Sequence, residues 1–102
     1  MARLLAMYKT PTDVAAFDAY YFGKHVPLAK TIPGLRRYDV SQGPVMGMQG
    51  ASGFHLIATL YFDTMDALTA ALGSAGGKAT AADLANFATG GVEIIFFDDK
   101  KV

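Results

Sequence analysis

Residues 17–40 read FDAYYFGKHVPLAKTIPGLRRYDV, and three elements follow from that string. Thr12 or Asp13 caps a helix whose apolar marks are Val14, Phe17 and Tyr21, at i, i+3 and i+7. Pro27 disfavours helical geometry at Val26, so the helix is expected to end near His25. Ile32-Pro33-Gly34 signals a turn, and Leu35 to Gln42 then reads as a strand. On that strand Leu35, Arg37, Asp39 and Ser41 share one side, and Arg36, Tyr38, Val40 and Gln42 the other.

Outward from this core, Arg3 to Lys9 is a short apolar strand stopped by Thr10-Pro11. Gly43 to Gly53 holds four glycines and is expected to be a flexible connection. Phe54 to Phe62 is the clearest strand, with Phe54, Leu56, Ala58, Leu60 and Phe62 on one face and His55, Ile57, Thr59 and Tyr61 on the other. Asp63 or Thr64 begins a second helix marked by Met65, Leu68 and Leu72, which Gly73 and Gly76-Gly77 interrupt. It resumes over Ala79 to Ala88 and stops at Gly90-Gly91, before a final strand from Val92 to Phe97. The order β-α-β-β-α-β predicts an α+β fold of ferredoxin-like type, a four-stranded antiparallel sheet with both helices on one face. One domain is expected over residues 1–102.

Composition narrows the function. Hydrophobic residues make up 52% of the 102 and charged residues 18%, below the roughly 25% of an average soluble chain. The second sheet face would expose large apolar side chains such as Ile57 and Tyr61, more than a small monomer surface carries. A homodimer packed through that open face is therefore expected. The formal net charge is zero and the only basic runs are Arg36-Arg37 and Lys100-Lys101, which argues against nucleic acid. There is no cysteine, hence no disulfide or thiolate chemistry. No stretch approaches the roughly 18 apolar residues of a membrane span, so a soluble cytoplasmic protein is expected.

The strings FDAYY, HVPLA, IPGLRRY, HLIATLYFD and ADLANFATGGV together resemble the EthD family, named for a protein linked to ethyl tert-butyl ether degradation. The resemblance spans nearly the whole chain apart from the glycine-rich loop and the two ends. It implies a dimeric α/β barrel built of ferredoxin-like halves. Related barrels include cofactor-free oxygenases, lactone isomerases and polyketide cyclases, so no single reaction is implied. The family's recurrent positions fall here on Tyr20, Tyr21, His25, Pro27 and Arg36-Arg37.

The candidate chemistry gathers around the first helix. His25, read as a helix-ending residue, would have its imidazolium favoured by the helix dipole and would act as a general acid/base. Its plainer role is to bond loose helix carbonyls. Tyr21, one turn earlier, either donates to a substrate oxygen or fills the core beside Phe17, and core packing is favoured. Tyr20 is a further substrate-binding candidate. Arg37 either binds an anionic substrate or pairs with Asp39, and the pair is favoured. His55 either meets a substrate or lies in solvent or an interface, the latter being favoured. Two lone histidines give no metal set, and none is expected. Gly77-Lys78 runs into Ala79, and Leu72 stands where a Walker glycine belongs. Ser41, Ser52 and Ser74 have no nucleophile-elbow context. Two readings remain: a cofactor-independent enzyme moving protons on an apolar, oxygenated small molecule in a degradative pathway, or a non-catalytic ligand-binding or accessory protein for a degradative oxygenase.

Overall fold

The computed structural model describes all 102 residues. β1 (Ala2–Lys9) lies at the centre of the sheet because its alternation is complete: Ala2, Leu4, Ala6 and Tyr8 are buried while Arg3, Leu5 and Met7 are half-buried. β2 (Arg37–Val40), β5 (Phe54–Phe62) and β6 (Val92–Asp98) complete a four-stranded sheet of order β2-β5-β1-β6, antiparallel throughout. This is the ferredoxin-like order, and the α+β expectation holds. A two-stranded ribbon, β3 (Met46–Gly47) with β4 (Gly50–Ala51), occupies the glycine-rich stretch expected to be a bare connection. No helix is long and apolar enough to cross a membrane.

The first helix departs from expectation. Asp13 caps it, its carboxylate accepting from the Ala16 N–H at 3.0 Å, and α1 covers Val14–Tyr20. The helix does not stop at His25. It passes through a π-helical turn at Tyr21–His25, closed by the Val26 N–H on the Tyr21 carbonyl, into α2 (Val26–Ala29). Phe17, Tyr21, His25 and Ala29 are all buried at four-residue spacing. At 3.6 residues per turn, four residues overshoot a full turn by about 40°, so three such steps would rotate Ala29 about 120° off the core. One wider turn takes most of that drift back. It also falls just ahead of Pro27, which has no N–H to offer a preceding carbonyl. The following turn is Ile32-Pro33-Gly34-Leu35, with the Leu35 N–H on the Ile32 carbonyl and Gly34 at φ 81°, the positive value that the third position of a type II turn requires.

The second helical segment is two helices in series. Thr64 caps α3 (Met65–Gly73) and Ser74 caps α4 (Ala75–Asp83), each oxygen accepting from a backbone N–H three residues on. The glycines at 76 and 77 do not interrupt the helix; they lie in the first turn of α4. A Cβ on Gly77 would sit 2.0 Å from the Ala71 carbonyl oxygen, and one on Gly76 would sit 3.1 Å from the Thr31 oxygen. Their absent side chains let α4 fold back on α3 and pack beside α2. A short 3-10 turn, Leu84–Asn86, then presents Phe87 to the core.

The helices cover one sheet face, and the register fixes what lies on the other. Leu5 sits between Thr59 and Ile95, Met7 between Ile57 and Glu93, and Arg3 between Tyr61 and Phe97. Ile95 and Phe97 therefore share the open face with Ile57 and Tyr61, while Ile94 and Phe96 lie on the helix side of the β6 edge. His55 breaks the pattern. Tyr8 pairs with Leu56 and Lys9 with Phe54, so His55 is the extra residue of a β-bulge. Alternation from the sequence put it with Ile57 and Tyr61. The bulge turns it to the helix side, where its ring meets Phe17 edge-on at 5.1 Å.

Candidate functional site

Asp83, the last residue of α4, is the centre of the polar cluster. The Tyr20 hydroxyl donates to Oδ1 at 2.6 Å, the Asn86 amide donates to Oδ1 at 2.9 Å, and His25 Nδ1 meets Oδ2 at 2.8 Å. Burial pushes the Asp83 carboxyl up, but the three donors, Tyr20, Asn86 and His25, outweigh it and hold the group below the usual range. Asp83 is thus a carboxylate at neutral pH and can only accept, which assigns the His25 proton to Nδ1.

His25 is 3% exposed. Burial lowers its pKa from the ordinary 6.5, against the opposing pull of Asp83, so the imidazole is neutral at pH 7. Its Nε2 carries a lone pair, has no hydrogen-bond partner in the chain and is not sealed from the surface. The helix-end argument for an imidazolium does not survive, because His25 lies inside a continuous helix. Burial decides its charge, and in the opposite direction.

Tyr21 does what core packing requires. Its ring stacks on Phe17 at 5.7 Å and lies 5.4 Å from the His25 ring. Its hydroxyl is also bonded to that of Tyr38, at 2.5 Å. Two hydroxyls sharing one hydrogen bond leave one O–H free to donate. Tyr8 adds a third phenol on the same side: it is 2% exposed, and its hydroxyl has no partner in the chain yet is not sealed. Burial raises the pKa of all three, furthest for Tyr21, so they remain neutral donors near pH 7. Phe87 closes the cluster, 4.6 Å from the His25 ring.

The structure therefore brings together Tyr20, Tyr21 and His25 and adds Tyr8, Tyr38, Asp83, Asn86 and Phe87. Arg37 is not among them. It lies on the open face, its Nε 2.8 Å from Asp39 and its guanidinium 5.1 Å above the Tyr61 ring, and the ion pair is the role it fills. His55 is also apart, on the far side of the Phe17 ring, with Nε2 2.7 Å from Asp18 Oδ1. Its side chain is partly buried there rather than free in solvent. Tyr8 and Tyr38 could have been found by parity, since both fall on the inward side of their strands. Asp83 left no such sign: it ends an alanine-rich helix 58 positions from His25.

Two grooves flank the cluster. A shallow one of about 190 Å³ is lined by Phe17, Tyr20, Asn86 and Phe87 among others, with His25 behind Phe87. A larger one of about 830 Å³ runs between α1 and the β3–β4 ribbon and has His55 and Asp18 in its wall. No three His, Asp or Glu side chains gather as metal ligands would.

The fold is that of the ferredoxin-like halves of dimeric α/β barrel proteins. A family model for the EthD domain matches residues 9–91. An uncharacterized 11.0 kDa protein of Rhodococcus erythropolis, in the thcB-thcC intergenic region, is 39% identical over 102 residues, all of this chain and 98% of that one. The crystal structure of an ethyl tert-butyl ether degradation (EthD) family protein from Bacillus halodurans superposes with a TM-score of 0.88 at 35% identity, covering 98% of this chain and 99% of the other. SnoaB, a cofactor-independent oxygenase from Streptomyces nogalater, shares the fold at a TM-score of 0.69 and 16% identity, over 99% of this chain and 94% of that one. This chain belongs to the EthD family.

Proposed function

We propose that this EthD-family protein is a cofactor-independent enzyme that moves a proton on an apolar, oxygenated small molecule. The observation that carries this is the neutral, buried His25, oriented through Nδ1 by Asp83 and left with a free Nε2 lone pair. A base whose pKa lies at or below neutrality is unprotonated when it is needed. In this reading Nε2 takes a proton from the carbon beside a carbonyl. The free hydroxyl hydrogen of the Tyr21–Tyr38 pair, or that of Tyr8, donates to the oxygen as enolate charge develops. The fold shared with a cofactor-independent oxygenase supports chemistry of this kind. A degradative role rests only on the association from which the family takes its name.

A second reading has its own observation in favour. Phe87 and Tyr21 lie against the imidazole, and His25 lines neither of the two grooves described above. In that reading His25–Asp83 is a packing device in a non-catalytic binding or accessory protein.

Deuterium exchange at the activated carbon of β-tetralone, followed by NMR in D2O, separates the two. The enzyme reading expects the protein to accelerate exchange and His25→Ala to lose about 10²–10⁴-fold of that acceleration. Tyr8→Phe should retain His25 and lose part of it. Wild-type protein that leaves the exchange rate at the buffer value, or a His25→Ala variant as fast as wild type, would reject it.

The proposed assembly is a homodimer joined through the open sheet face. Ile95 is 47% exposed and Phe97 38% on that face, beside the half-buried Leu5, Met7 and Ile57. Covering such a patch with a second copy removes it from water.

A further inference from the structure

We propose that the groove between α1 and the β3–β4 ribbon binds a neutral, mostly apolar small molecule through a hydroxyl group, with His55 as its acceptor. This goes beyond the reading at His25, from which the groove is separated by the Phe17 and Tyr21 rings. Its volume, about 830 Å³, is that of a small-molecule site. Phe22, Val40, Val45, Met46, Phe54 and Leu56 are the large apolar side chains among the sixteen residues that line it.

The polar groups select the ligand. Asp18 is the only formal charge in the lining, and no lysine or arginine faces the groove. A carboxylate or phosphate ligand would meet repulsion and no counter-charge. Ser52 is engaged on both sides, its Oγ donating to the Val45 carbonyl and accepting from the Phe54 N–H, while Ser41 Oγ accepts from the Ile57 N–H and keeps its own O–H. His55 is different. Nε2 lies 2.7 Å from Asp18 Oδ1, which as a carboxylate can only accept, so in the neutral ring the proton is on Nε2 and Nδ1, which has no partner in the chain, is the lone-pair acceptor. A ligand hydroxyl can donate to this nitrogen, which a carbonyl or a bare hydrocarbon cannot. The β-bulge supplies this arrangement, because without the extra residue His55 would face the other side of the sheet.

The test is an amide NMR titration with β-naphthol, with naphthalene and β-naphthoate as comparison probes. β-Naphthol is expected to shift amides of residues 41–46 and 51–56. Naphthalene, lacking the hydroxyl, should bind about 3–10-fold more weakly, the weight of one net hydrogen bond. The naphthoate should be weaker than β-naphthol by at least as much. His55→Phe should erase the preference for naphthol over naphthalene. Val45→Trp, which fills the groove and leaves His55 in place, should weaken both neutral probes. His25→Ala should leave β-naphthol binding unchanged, so the two sites fail independently. Shifts confined to other regions, naphthoate binding as well as naphthol, or a His55→Phe variant that keeps the preference would overturn the proposal.

Discussion

At the scale of single residues, the Asp83 cluster ties stability to the same groups that the proposed chemistry uses. Asp83→Ala removes the acceptor of Tyr20, Asn86 and His25 and leaves the His25 N–H unpaired in the core. With roughly 0.5–1.5 kcal/mol for each lost bond, a cost of about 2–4 kcal/mol in urea unfolding is expected. A variant within the error of wild type would show the cluster to be slack. The pH dependence has a definite sign. The folded pKa of His25 is depressed below its unfolded value near 6.5, so the unfolded chain binds more protons as pH falls. Stability from this group is fully present above about pH 6.5 and is lost as pH falls through the folded value. Asp83, also depressed, acts in the same direction at lower pH, below its ordinary 3.8. Wild-type protein should lose unfolding free energy between pH 7.5 and 5.5, and His25→Gln should lose measurably less. Equal losses in both would mean that His25 is not held neutral.

At the scale of elements, the glycines make opposed predictions. Gly23 has no atom within 4 Å of a built Cβ and no positive φ, so Gly23→Ala should stabilise by about 0.5–1 kcal/mol by restricting the unfolded chain. Gly77→Ala forces a Cβ onto the Ala71 carbonyl and should cost about 1–3 kcal/mol or more. Thermal melts of the two variants moving in the same direction would contradict the packing of α4 on α3. The same contrast explains what could be read from the sequence. Strand order was legible because alternation and Pro/Gly stops are local, and the Phe54–Phe62 strand needs no tertiary information. The continuation through Pro27 was not, because local sterics argue against it and only tertiary burial every fourth residue, at 17, 21, 25 and 29, overrides them. The bulge at His55 was likewise invisible, since it exists only relative to β1. Tyr20, Tyr21 and His25 could be singled out because they crowd one helix. Their partner Asp83 could not, because no local pattern joins residue 25 to residue 83.

At the scale of the whole molecule, the sheet is covered on one side only. The register places Leu5, Met7, Ile57, Ile95 and Phe97 together on the bare face, with a charged border in which Arg3 and Arg37 both lie over the Tyr61 ring, at 4.9 and 5.1 Å. Arg3 pairs with Asp99, which also takes the N-terminal ammonium, Arg37 pairs with Asp39 and Glu93 with Lys9, so each border charge has a partner within its own chain. A second copy would therefore meet an apolar centre ringed by charges that are already paired. Ile57 and Ile95 flank the central strand on this face, on either side of it. Ile57→Asp or Ile95→Glu would bury an unpaired carboxylate in the proposed interface, at a cost of several kcal/mol, while remaining solvated in a monomer. Each should shift the sedimentation coefficient from dimer to monomer at micromolar concentration, with far-UV circular dichroism retained if the halves fold alone. Because the bare face holds no part of the His25 cluster, a stable monomer that still accelerated β-tetralone exchange would make the proton chemistry a property of one chain. Wild-type protein that sediments as a monomer at that concentration would reject the dimer and leave the apolar face to some other cover.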